Sequence, residues 1–202
     1  VTADGEQLTS PVTSAMNYKK VTISNTEQIS AMKEIEFDNV NKNKAWANVH
    51  HQFFQNYDDI QRTENDYFDI QKEIYKVSTD DRLESIDRSE LNLGDRIRVR
   101  LIVNSDRPME FIHIADDRPA GAEPLDHKSE YKWDSRQGYF LSIKDVATHF
   151  YIDRLEKGKY VFEYDMYINN LGEYQSGIAT IQNLYAPEFN DYSKSARISV
   201  KE

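Results

Sequence analysis

The chain has 202 residues and no cysteine, which excludes disulfides, thiolate metal sites, cysteine nucleophiles and an internal thioester within it. Its 35 acidic against 25 basic residues give a formal charge of −10, which argues against a nucleic-acid or anionic-membrane partner. A content of 39% apolar and 30% charged residues, with 13 tyrosines and 9 phenylalanines, suits a folded, sheet-rich chain of one large domain or two small ones.

Residues 1–16, rich in Thr and Ser with Pro11, read as a weakly structured lead-in. The start, Val1-Thr2-Ala3-Asp4, is neither an initiator methionine nor a signal peptide, so we expect a chain cut from something longer. Lys20 to Ser24 and Ile35 to Phe37 are short strand candidates, with a single helical turn between them at Glu27 to Lys33. Asn39 to Lys44 is a polar turn. Ala45 to Gln55 (AWANVHHQFFQ) is apolar enough for a strand of a packed sheet, with helix as the alternative. Asp58 to Asp66, polar and without apolar anchors, is the boundary between a β-rich segment at 1–62 and a second domain at 63–202.

Phe68 to Val77 enters that domain as a strand, with Phe68, Ile70, Lys72, Ile74 and Lys76 on one face and Glu73, Tyr75 and Val77 on the other. Thr79 to Glu90 is a charged loop. Arg96 to Val103 is the cleanest strand, with Ile97, Val99, Leu101 and Val103 inward and Arg96, Arg98 and Arg100 on the solvated face. Met109 to Ala115 returns, and Asp116 to Trp133 is a long excursion. Tyr139 to Ile143 and Thr148 to Ile152 are further strands.

Phe150 to Ile168 (FYIDRLEKGKYVFEYDMYI) organises the rest. From Tyr160 the pattern alternates: Tyr160, Phe162, Tyr164, Met166 and Ile168 share one face, and Glu163, Asp165 and Tyr167 the other. Leu155, Gly158 and Tyr160 have the spacing of a tyrosine corner, in which the phenol bonds back to upstream backbone, or else form an ordinary hairpin. Gly158 suits a positive φ in that turn. Tyr174 to Tyr185 follows with a bulge at Gly177; Ala186 to Ser195 is a loop, and Arg197 to Lys201 closes with Ile198 and Val200 inward. About eight short strands at such spacing predict an all-β, immunoglobulin-like antiparallel sandwich. No run of about 18 apolar residues is present to span a bilayer.

No constellation of catalytic residues emerges, and we assign no catalytic, cofactor-binding or metal residue. His50 and His51 are adjacent and on a strand would point to opposite faces; His113, His127 and His149 are isolated in sequence and read as packed or surface side chains. The pairs Asp58-Asp59, Asp80-Asp81 and Asp116-Asp117 lack the spacing of a calcium loop and read as solvated turns. Glycine-rich phosphate loop, GxSxG and HExxH motifs are absent. Tyr131, Trp133 and Tyr139 offer either a sugar-stacking platform or a staple that holds a loop to the sandwich.

Three stretches carry a resemblance: GDRIRVRLIVNSDRPMEFIHIADDRPAGAEPL at 94–125, GYFLSIKDVATHFYIDRLEKGKYVFEYDMYI at 138–168 and GIATIQNLYAPEF at 177–189. Over residues 66–202 the chain resembles the C-terminal macroglobulin domain, MG10, of bacterial alpha-2-macroglobulin family proteins, the long Bacteroidetes versions in particular. Phe150 to Tyr164 and Tyr185-Ala186-Pro187-Glu188 are the most specific parts. KNKAWANVHHQFFQNYDDI at 42–60 resembles what precedes that domain, so that 1–62 would be the tail of the β-rich domain before it. The resemblance implies a non-enzymatic module of an exported, periplasmic or outer-membrane-associated protease-trapping protein. Its implied partners are the other domains of the parent chain and, through the parent, proteases; no cofactor is implied, and no functional residue transfers to a numbered position. The competing expectation is a stand-alone secreted adhesin or glycan-binding sandwich.

Overall fold

The computed structural model describes residues 1–9, 12–13, 19–39, 43–60, 67–134 and 137–201. Two compact units divide it, Val1–Phe53 and Phe54–Glu202. Residues 40–42 of the expected Asn39–Lys44 turn and residues 61–66 of the expected boundary lie outside the described residues.

The first unit contains β1 (Thr2–Ala3), β2 (Glu6–Gln7), β3 (Val12–Thr13), β4 (Lys19–Lys20), α1 (Thr26–Ala31) and β5 (Ile35–Glu36). Its opening is not a weakly structured lead-in. β1 and β2 form a hairpin closed by Asp4 (φ 47°) and Gly5 (φ 83°), an Asp-Gly pair in the doubly positive conformation that matches strand twist. The Asp4 carboxylate then accepts the backbone N–H groups of Lys33 (3.1 Å) and Glu34 (3.0 Å), holding the chain beside β5. α1 is capped by Asn25, whose Oδ1 accepts from Glu27 N at 2.9 Å and Gln28 N at 3.1 Å. The helical turn and the strand at Ile35 thus form where expected. The Lys20–Ser24 strand is cut back to Lys19–Lys20.

Ala45–Gln55 is a correction: the whole stretch is irregular, with no strand or helix. Trp46 is 87% exposed and Phe53 63%, so the apolar content that suggested a strand has no sheet face to bury against.

The second unit is a sandwich. Its strands are β6 (Phe68–Val77), β7 (Leu83–Ser85), β8 (Leu91–Asn92), β9 (Arg96–Ser105), β10 (Met109–Asp117), β11 (Ala122–Pro124), β12 (Glu130–Asp134), β13 (Gln137–Ile143), β14 (Ala147–Leu155), β15 (Gly158–Ile168), β16 (Gly172–Gln175), β17 (Ala179–Asn183), β18 (Asn190–Tyr192) and β19 (Arg197–Lys201). One sheet runs β11-β15-β9-β6-β7 and the other β12-β13-β14-β10-β17-β18; β16-β19-β8 form a small third sheet, in which β19 and β8 are parallel. The all-β reading holds. The charged Thr79–Glu90 loop carries β7, and the Ala186–Ser195 loop carries β18.

β9 and β10 are consecutive but lie in different sheets, so Asn104 to Pro108 crosses the sandwich rather than closing a hairpin. The alternation in β9 is followed without exception: Ile97, Val99, Leu101 and Val103 are fully buried. They meet Ile112 and Ile114 of β10, Phe150 and Ile152 of β14 and Phe162 of β15 in one core. Tyr139, Phe150 and Phe162 pack ring to ring, with centroids 5.2–5.6 Å apart.

Gly177 is not a bulge. It sits at φ +72° between β16 of the small sheet and β17 of the six-stranded sheet, where the chain changes layers. A Cβ there would lie 2.5 Å from Asp117 Cβ and 2.8 Å from Asp117 O, so only glycine permits this approach.

Candidate functional site

The tyrosine corner is present. The Tyr160 hydroxyl donates to Glu156 O at 3.0 Å, Leu155 is fully buried beneath it, and Gly158 has φ +155°. The corner lies where the chain passes from β14 of one sheet to β15 of the other, the strand that also carries Tyr164.

Tyr164 belongs to a buried charged centre that lies between the two sheets. Lys72 (β6) lies on the core-facing side, two residues from Ile70 and Ile74, and its side chain is 1% exposed. Its Nζ donates to Asp116 Oδ1 at 2.6 Å, Ser176 O at 2.7 Å and Asp117 O at 3.0 Å, so all three ammonium protons have acceptors. Asp116 (β10) is completely buried, and its Oδ2 accepts from the Tyr164 hydroxyl at 2.6 Å. The centre joins both sheets and the Gly177 crossing. Burial pushes the Asp116 carboxyl above its ordinary range, against the charge and hydrogen bond of Lys72. Burial, reinforced by the Asp116 charge, holds the Tyr164 phenol well above its usual value, so it remains a donor. The expectation of a solvated Asp116-Asp117 turn therefore fails: Asp116 faces inward at the end of β10, and only Asp117 faces out.

The histidines divide. His50, beside Asn48, and His51, beside Phe53, lie in the irregular stretch, and His127 lies in a loop. His113 and His149 are brought together across β10 and β14, His113 Nε2 to His149 Nδ1 at 3.0 Å, with Tyr151 stacked on His113 at 4.8 Å. Burial holds both imidazoles below their ordinary pKa, helped by the charge of His149 at His113 and of Lys144 at His149. No group of three or more metal-binding side chains converges among the described residues.

The expected aromatic trio does not form. Tyr139 is 6% exposed and belongs to the core. Tyr131 and Trp133 stay outside, 62% and 78% exposed, Tyr131 opposite Phe140 and Trp133 lying over Gly138. Across the strands Phe140 is followed by Tyr151 and then His113, so an aromatic row crosses the outer face of the six-stranded sheet. At one end of that sheet lies an open groove of about 520 Å³ beside Glu110, Phe111, Arg154, Asn183 and Tyr185. Phe111 has φ 57°, a strained conformation for so bulky a residue, and its ring meets Tyr185 edge to face at 5.0 Å.

These elements have known counterparts. The family description "Bacterial Alpha-2-macroglobulin MG10 domain" matches residues 68–188, from the first residue of β6 to the segment before β18. The chain belongs to this family. The sandwich is similar to part of Salmonella alpha-2-macroglobulin (its Y1175G mutant; TM-score 0.58, 19% identity), covering 71% of this chain and 10% of that one. It is also similar to native Escherichia coli alpha-2-macroglobulin from domain MG7 to the C-terminus (TM-score 0.56, 16% identity), covering 70% of this chain and 24% of that one. A 110-residue stretch is 22% identical to the Dictyostelium discoideum protein named circularly permutated Ras protein 2, 54% of this chain but 3% of that protein. The MG10 chain thus spans a small fraction of each relative, and at these identities the solved structures speak to fold.

Proposed function

We propose that this MG10 chain is a non-catalytic structural and interaction module at the C-terminal end of an exported alpha-2-macroglobulin-like protein that traps proteases. The observation that carries this reading is the family match over the sandwich. In the same sandwich the polar groups that converge, Lys72, Asp116 and Tyr164, are buried and satisfied by one another, where no substrate reaches them. Residues 1–62 would then be the tail of the preceding β-rich domain and 63–202 the MG10 module. Its partners are the other domains of the parent chain, with proteases as the parent's targets, in the periplasm or at the outer membrane. The Bacteroidetes assignment rests on sequence resemblance alone; the solved structures it resembles come from Salmonella and Escherichia coli.

The chain alone should neither inhibit trypsin nor form an adduct with it, because it has no cysteine for a thioester and one sandwich is too small to enclose a protease. The parent should block cleavage of large protein substrates while leaving small peptides accessible. Stoichiometric inhibition of small-peptide cleavage by the chain itself would overturn the reading in favour of an active-site inhibitor. The exposed ring of Trp133 favours a second reading, a glycan-binding face, which saturable binding of neutral oligosaccharides lost in Trp133→Ala would support.

A further inference from the structure

We propose that Lys72 and Asp116 are the two ends of an intramolecular isopeptide cross-link that covalently ties the two sheets of this domain together. Three observations point to it. The amine and the carboxylate are each sequestered, at 1% and 0% side-chain exposure, and meet at 2.6 Å. The Asp116 carbon is one bond beyond that contact, so a modest rotation of the carboxyl would bring it to the roughly 3–3.5 Å separation of a near-attack geometry. A hydroxyl donor, Tyr164, is already bound to the other carboxylate oxygen at 2.6 Å, where negative charge collects when the carbon is attacked.

The chemistry balances within the site. One Nζ proton passes along the 2.6 Å contact to Asp116 Oδ1, leaving a neutral amine beside a neutral acid. The Nζ lone pair then attacks Cγ. Charge moves onto Oδ2, which the Tyr164 hydroxyl stabilises. A second Nζ proton moves to Oδ1, the Cγ–Oδ1 bond breaks, and Oδ1 leaves as water. Oδ2 becomes the amide carbonyl, still bonded to Tyr164, and the remaining N–H keeps Ser176 O as its acceptor. No oxidant or co-reactant is consumed.

Burial supplies the driving force, since a sequestered ion pair keeps a desolvation penalty that a neutral amide does not. The upward displacement of the Asp116 carboxyl by burial works in the same direction, toward the protonated acid the reaction needs. The location suits a staple: β6 is the first strand of the sandwich, β10 lies in the opposite sheet, and the chain has no cysteine with which to make a disulfide.

The test is mass spectrometry of the denatured chain. The expected intact mass is one water below the sequence mass, and proteolysis should release the Lys72 peptide joined to the Asp116 peptide. Lys72→Arg and Asp116→Ala should both return to their full sequence masses. Tyr164→Phe should form the same link more slowly, read as the linked fraction against time after synthesis. The peptide map is repeated on the chain within its full-length parent, so that a domain in its own assembly is also sampled. Unlinked Lys72 and Asp116 peptides at sequence mass in both preparations would overturn the proposal. So would a water loss that persists in Asp116→Ala, since it would then arise elsewhere.

Discussion

Two sets of opposite charges in this sandwich use the same chemistry in different surroundings. On the outer face of the five-stranded sheet, Asp165 of β15 accepts from Arg96 Nε at 2.9 Å and Arg98 Nε at 2.7 Å, and Glu163 accepts from Arg100 Nε at 2.6 Å. The register, Asp165 opposite Arg98 and Glu163 opposite Arg100, lines these groups into a cross-strand ladder whose members stay partly in water. Inside, Lys72 and Asp116 are shielded from solvent and are held by Tyr164 and two carbonyls. The outer ladder can lose a rung and rehydrate. The inner pair cannot, and the contrast shows that burial, more than distance, decides what a charge pair is worth.

The sharpest way to break the contrast is to orphan one inner charge. Measured against the unlinked chain, Lys72→Ala should cost about 3–5 kcal/mol in urea melts, because Asp116 is left buried without its counter-charge. That is as much as emptying the core at Phe162→Ala, about 3–5 kcal/mol. Against the same unlinked reference, the double variant Lys72→Met/Asp116→Leu should recover most of the loss, since an apolar pair carries no desolvation penalty. Next comes the crossing that delivers Ser176 O to Lys72. Gly177→Ala should cost roughly 1–3 kcal/mol, as φ +72° and contact with the Asp117 backbone both oppose a Cβ. On the outer ladder Arg98→Ala should cost about 1 kcal/mol or less and Glu163→Ala about 0.5 kcal/mol or less. Equal losses at Lys72 and Glu163 would show that the inner site is wetter than its exposure implies.

The smallest effect expected is a slope with pH. His113 and His149 are held below the ordinary imidazole pKa, so the folded chain binds fewer protons than the unfolded one. Their contribution to stability is full above the unfolded value of about 6.5 and is lost as pH falls through it toward the folded values. Asp117 faces His149 and moderates the loss, whereas Lys144 adds to it. The melting temperature should decline from pH 7 to 5, and His113→Gln/His149→Gln should flatten that decline.

Residue order alone determined the strands with clean alternation. β9, β10, β14 and β15 appear where the period of two predicted them, and the corner at Tyr160 was readable from Leu155, Gly158 and its own spacing, because these depend on local backbone geometry. The Asp4-Gly5 hairpin is equally legible from its turn pair. The same pattern placed Lys72 on the core-facing side of β6, the one signal that could have exposed the inner site. What only the tertiary structure decided was who meets whom. Lys72, Asp116 and Tyr164 are separated by 44 and 48 residues, and His113 and His149 by 36; only the pairing of sheets makes them neighbours. Likewise Ala45–Gln55 has the apolar content of a strand and lacks the partner, because a strand is completed by hydrogen bonds its own sequence cannot supply.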